Sequence, residues 1–155
     1  MRIVTLVVLS ALLATSQQAS EFAPIGSFAS VRQTSSDDPH CYGWSLKLWR
    51  YNGQVIGLAS RYEGPCFDPA CRTLTNVTHE VRTGRLSFSA FDMTFDGTLR
   101  PNEVTGTLGD ERLTLTRGDD PMDAHYDKDF DAWCTFWRTV PRCEGLAELC
   151  RSLRR

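Results

Sequence analysis

Beyond its N-terminal segment the chain has no apolar run that could span a bilayer, for which an α-helix needs roughly 20 residues. It has no surplus of positive charge either. Its 17 Lys and Arg stand against 19 Asp and Glu, a net charge of −2, which argues against nucleic acid or anionic lipid as a general partner. No cysteine pair has the Cys-x-x-Cys spacing of a zinc knuckle, so metal ligation is not the expected use of its thiols. No serine lies in a Gly-x-Ser-x-Gly frame and no glycine-rich phosphate loop is present, so neither acyl transfer nor nucleotide chemistry has a motif to rest on. The three histidines, His40, His79 and His125, are scattered along the chain rather than placed beside a nucleophile. These absences predict no catalytic residues, no metal and no cofactor.

What is there is a disulfide framework. Six cysteines, Cys41, Cys66, Cys71, Cys134, Cys143 and Cys150, all follow an apolar start in which Arg2 precedes Ile3 to Ala14. Residues 1–16, ending in the small residues Ala14, Thr15 and Ser16, read as a signal peptide. The expected product is a monomer, secreted or periplasmic, without a stable membrane span, whose cysteines are oxidised. Residues 17–40 are rich in Ser, Gln, Ala and Asp with two prolines, a composition that predicts a loosely ordered leader unless Phe22, Ile25 and Phe28 dock somewhere. Residues 41–155 then form one domain.

From Gly43 to Arg117 short alternating runs are punctuated by Gly, Asn and Asp, the pattern of an antiparallel meander of about seven strands. Asn52-Gly53 is a favoured two-residue hairpin turn. It would pair Tyr51 with Gln54, Trp49 with Ile56, Leu48 with Gly57 and Leu46 with Ala59. One face then carries Trp44, Leu46 and Leu48 over Val55, Gly57 and Ala59. The other carries Trp49, Tyr51, Ile56, Leu58 and Tyr62, too apolar to leave wet without a reason. A second hairpin turns at Thr83-Gly84. With a two-residue turn His79 faces Phe88, and a bulged three-residue turn would move the pairing by one. Glycines recur inside strands, Gly57 after Val55 and Gly106 after Val104, which suits a barrel or strongly coiled sheet. In strand spacing and glycine placement over residues 43–117 the chain resembles small exported barrels of the lipocalin and avidin type. That resemblance implies a fold and, with no ligand-binding motif matched, no function.

After Asp119 the period changes. Phe130, Trp133, Cys134 and Trp137 repeat at helical spacing, Pro141 interrupts, and Cys143, Leu146, Leu149, Cys150 and Leu153 mark a second face. Residues 127–155 are therefore expected to form a helical hairpin, roofing the spare apolar face of the first β-hairpin. Cys143 and Cys150 would lie about 10.5 Å apart on one helix, too far to join. The favoured pairing is Cys66 with Cys71, Cys134 with Cys150 and Cys41 with Cys143, the alternative being Cys134 with Cys143 and Cys41 with Cys150. Asp127, Asp129 and Asp131 repeat the first ligands of a calcium loop, but Ala132 stands where that loop needs Gly and Arg138 where it needs a carboxylate, so helix capping is the better reading. Asn76-Val77-Thr78 is a glycosylation acceptor sequence whose use depends on the host.

The function this predicts is binding without catalysis. A protein partner, such as an enzyme to be inhibited, is expected at Trp49, Tyr51 and Tyr62, since aromatic anchors are enriched in interfaces; the competing use of the same residues is a structural one, roofed by Trp133 and Trp137. The alternatives are a small apolar ligand in a barrel cavity lined by Leu46, Leu48, Phe88 and Phe95, and a secreted enzyme of unrecognised type.

Overall fold

The computed structural model describes residues 21–35, 37–118, 129–139 and 143–155. Residues 1–16, read from sequence as a signal peptide, and His125 and Asp127 lie outside them. The elements in order are β1 (Phe22–Ala29), β2 (Arg32–Ser35), β3 (Asp38–Tyr51), β4 (Gln54–Pro65), β5 (Ala70–Thr73), β6 (Thr75–Glu80), β7 (Arg85–Ala90), β8 (Met93–Leu99), β9 (Glu103–Leu108), β10 (Glu111–Gly118), α1 (Phe130–Thr139), β11 (Cys143–Glu144) and α2 (Leu146–Leu153).

The organising piece is the β3–β4 hairpin. Asn52 and Gly53 both adopt positive φ, 48° and 80°, the conformation a two-residue type I′ turn requires. Its register then runs from Tyr51↔Gln54 through Trp49↔Ile56, Leu48↔Gly57 and Leu46↔Ala59 to His40↔Pro65, as the turn residues predict. Successive antiparallel strands extend β4 through β10, with β5 and β6 acting as one bent strand: β5 pairs with β4 and β6 with β7. The meander over residues 43–117 therefore has seven strands, and it curls until that bent strand borders both of its ends.

Two expectations about the sheet are corrected. The leader is not loose, because Phe22–Ala29 is a strand inserted between β3 and β10. Phe28 is fully buried in the interior and Phe22 joins the helical layer; these docked aromatics supply the burial that the polar composition around them conceals. Pro24, which cannot donate to a ladder, sits where the β1–β3 register shifts. In the β6–β7 hairpin the connection has four residues, not two: Glu80 pairs with Arg85 and His79 with Leu86 rather than Phe88. Thr83 selects the wider turn by donating through Oγ1 to Glu80 Oε2 (2.8 Å) and accepting from Arg85 N (3.2 Å). A shift of two keeps Thr78, His79 and Glu80 on their predicted faces, but leaves Val81 71% exposed.

The concave side is filled. Leu46, Leu48, Phe88 and Phe95 belong to one buried cluster with Phe28, Trp44 and Val104, and the Phe88 and Phe95 rings stack at 4.8 Å. Gly97 and Gly106 face each other across β8 and β9. A Cβ on Gly106 would meet Phe95 Cζ at 2.7 Å, so the glycine pair makes the room that the Phe95 ring occupies. At one end Arg117 lies over the Phe28 ring, 5.0 Å from its centroid, and donates to Ile25 O (2.8 Å) and Pro101 O (2.6 Å).

The convex side of β3–β4 is covered by α1 and α2, as its apolar residues demand. Trp49 meets Trp133 edge-on at 5.1 Å and Trp137 at 6.3 Å, while Tyr51 stacks on Phe130 at 4.2 Å. Each such aromatic pair adds about 0.5–1.5 kcal/mol beyond its area burial. Asp129 caps α1 by accepting from Ala132 N (2.7 Å), and Asp131 pairs with Arg154 beyond α2; both acids serve helix structure.

Cys134–Cys150 joins the two helices as expected. The other two bridges are Cys41–Cys66 and Cys71–Cys143, which corrects the favoured Cys66–Cys71 and Cys41–Cys143. The β3–β4 ladder reaches His40↔Pro65, so Cys41 and Cys66 end on adjacent strands with Cα atoms 4.8 Å apart. Cys71 lies on β5, where β11 forms a parallel bridge that places Cys143 directly beside it.

Candidate recognition surface

Two of the three predicted binding aromatics are structural. Trp49 is 2% exposed and Tyr51 8%, both beneath α1, so neither can meet a partner. Tyr62 is partly buried on β4, opposite Gly43. The apolar face that marked them in sequence is consumed by the chain's own helices.

Exposed aromatics lie at the end of the sheet carrying the β4–β5, β7–β8 and β9–β10 turns. Phe67 is 78% exposed and Tyr42 51%. Each is the chain neighbour of a bridged cysteine: Tyr42 follows Cys41, and Phe67 follows Cys66. Phe67 is carried on a tight turn in which Asp68 N donates to Pro65 O (3.2 Å). Pro65 and Pro69 flank that turn and fix φ on either side of it. Sequence reading assigned this stretch to a local disulfide loop, and the prolines around an apolar Phe67 were the signal that could have found it.

Beneath the turn the rim is rigid. Trp44 donates from Nε1 to Glu111 Oε2 (3.2 Å) and packs edge-on against Phe91 at 5.5 Å. Arg61 lies over Trp44 and Arg72 over Phe91, at 5.5 and 5.3 Å, and the two guanidinium groups pair with Glu63 and Glu144. Phe91 and Asp92 form the β7–β8 turn with φ of 53° and 58°, a conformation costly for a phenylalanine, and the Trp44 and Arg72 contacts hold it there. Glu63, Asp68, Asp92, Asp110 and Glu111 are exposed around this end.

No protein-family model, curated protein or solved structure matches this chain.

A second feature lies at the opposite end, where the Asn52-Gly53 turn and residues 81–84 are found. A cleft of about 750 Å³ is lined by Arg50, Val55, Leu74, Val77 and His79 from the sheet and by Glu148, Leu149, Ser152 and Leu153 from α2. His79 Nδ1 is buried there without a hydrogen-bond partner. Burial, and secondarily the nearby Arg50 charge, lower the His79 pKa below its ordinary value, so the ring is neutral at pH 7. Glu148 and Ser152 share the cleft, yet no hydrogen bond links either to His79. Leu46, Leu48, Phe88 and Phe95, expected to line a barrel cavity, line neither this cleft nor the smaller one beside Phe91. Among the described residues no cluster of His, Cys, Asp and Glu could hold a metal ion. Asn76 is exposed at a bulge in β6 with φ of 51°.

Proposed function

We propose that this is a non-catalytic binding protein of an oxidising compartment that docks on another protein through the Phe67 turn. The exposure of Phe67 on a turn held by the Cys41–Cys66 bridge and two prolines carries this reading. A large apolar side chain kept in water forfeits about 1.5–3 kcal/mol of burial, which a partner pocket returns. The bridge and prolines have already removed the backbone freedom that docking would otherwise cost. Tyr42 beside it supplies a second anchor. The five exposed carboxylates around this end favour a partner whose concave site is cationic, as an enzyme cleft open to blockade would be.

The test is capture of partners by the mature oxidised protein from its own envelope and medium, alongside Phe67→Ser and Tyr42→Ser. The expected result is a protein retained by the wild type and bound at least tenfold more weakly by Phe67→Ser, with the melting temperature of that variant unchanged because Phe67 packs on no core. Equal retention by wild type and Phe67→Ser, or retention of nothing, would overturn the reading.

A further inference from the structure

The cleft at the far end from Phe67 marks a second binding site, and it goes beyond the reading above. Its walls are the two strand edges that the curled sheet brings together without joining. In a two-residue hairpin the closing pair is hydrogen-bonded and alternate pairs follow suit. Gln54, Ile56 and Leu58 therefore direct their main-chain groups at β3, while Val55 and Gly57 direct theirs outward. Gly57 O accepts from Leu74 N at 2.9 Å. One step further on, Val55, paired with Arg50 on its β3 side, has no ladder partner on its outward side among the described residues: β6 turns aside there, its register with β7 shifting between Thr75 and Thr78 and Asn76 taking φ of 51°. The sheet is left with an unpaired stretch of edge facing a helix.

The same cleft is chemically polarised. Arg50 points into it from β3 and forms no ion pair among the described residues. Glu148 stands on the α2 side, and Val55, Leu74, Val77, Leu149 and Leu153 give the space between an aliphatic lining. His79 has Nδ1 sealed off, leaving Nε2 as the atom that could bond to an occupant. An unpaired guanidinium, an open strand edge and an aliphatic floor together fit one kind of ligand.

We propose that this cleft binds the free C-terminus of a polypeptide, which adds to the Val55 edge as a short strand, sets its α-carboxylate on Arg50 and buries an aliphatic last side chain against Leu74, Val77 and Leu149. Strand addition supplies main-chain bonds and the pocket supplies side-chain selection, as in other edge-binding modes. Glu148 favours a basic residue upstream in the peptide. The volume of about 750 Å³ lies inside the range of roughly 300–1,000 Å³ typical of ligand sites.

The experiment uses the full oxidised protein and an N-acetylated pentapeptide ending in leucine, with lysine as its second residue. It is titrated as the free acid and as the C-terminal amide, with octanoate in parallel, by calorimetry and by amide and imidazole NMR. The free acid is expected to bind at least tenfold tighter than the amide and than octanoate, with shifts at Val55, Val77, His79 and Leu149. Arg50→Gln should remove the preference for acid over amide, whereas Phe67→Ser should leave it intact, which separates this site from the docking turn. The proposal fails if acid and amide bind alike, if octanoate matches the peptide, if the shifts fall elsewhere, or if the acid does not bind. The wild-type comparison decides the matter even if Arg50→Gln does not fold.

Discussion

Cys71→Ala with Cys143→Ala should be the most damaging removal of any of the three bridges, and its size can be worked from the chain. Cys71 and Cys143 are 72 residues apart, against 25 for Cys41–Cys66 and 16 for Cys134–Cys150. In the chain-entropy account a bridge stabilises by restricting the unfolded ensemble in proportion to the logarithm of the loop it closes. That gives about 4 kcal/mol for the longest loop and about 3 kcal/mol for the shortest. Once the bridge is gone, β11 is held to β5 only by its two-residue parallel ladder, by Thr73 Oγ1 donating to Glu144 O at 3.3 Å, and by the surface pair of Arg72 with Glu144. An exposed pair of that kind contributes about 0–1 kcal/mol. The helices, still joined to each other by Cys134–Cys150, would depend on the apolar cluster in which Phe130, Trp133, Trp137 and Leu146 pack on Phe22, Trp49, Tyr51, Ile56 and Leu58. The assay is urea unfolding followed by tryptophan fluorescence, since three of the four tryptophans lie in that outer layer. The expected loss exceeds that of Cys134→Ala with Cys150→Ala by roughly 1 kcal/mol. A loss below about 1 kcal/mol, or one smaller than that of the helix-to-helix variant, would refute the view that this bridge fastens the helical layer to the sheet.

Gly97→Ala should cost about 1–3 kcal/mol in urea unfolding, because its Cβ would come within 2.6 Å of Phe95 Cζ and 2.8 Å of Gly106 Cα; a neutral result would mean the interior yields more than its packing suggests. For His79 the folded pKa lies below the unfolded value of 6.5, so the unfolded state takes up the proton first. Its contribution is complete above pH 6.5 and declines as pH falls below 6.5 toward the folded pKa. Urea midpoints measured across this range should flatten in His79→Gln relative to wild type.

The hairpin register was legible because Asn52-Gly53 permits one tight turn, and because a slip of one would set the large Leu46 and Leu48 off the small Ala59 and Gly57 that they face. The helical layer was legible for a related reason: two unmatched apolar faces, one on each side of Asp119, had only each other to bury. Strand β1 was not legible, since its alternation is broken by Pro24 and Gly26 and it pairs with strands near both ends of the domain. Such non-local pairing leaves no trace in a short window of sequence. The Cys41–Cys66 bridge failed for want of a strand length. With β3 beginning at Gly43, Cys41 lay outside the sheet, and only the longer ladder carries it alongside Cys66. Of the aromatics read as either a recognition surface or a floor for the helices, Trp49 and Tyr51 take the second use, buried beneath α1. Phe67 was the better candidate, having no periodic context that would bury it.

The order of the bridges along the chain bears on how the protein matures. Numbered from the N-terminus, the cysteines join first to second, third to fifth and fourth to sixth. A chain oxidised strictly from its N-terminus would close Cys41–Cys66 first and correctly. Cys71 would then meet Cys134 before its partner Cys143, and a bond formed in sequence order there would be non-native. Release of that error needs attack by a later thiolate through a mixed-disulfide intermediate. Under that order the helical layer would depend on thiol exchange to reach its final pairing, whereas the bridge beside the Phe67 turn would not.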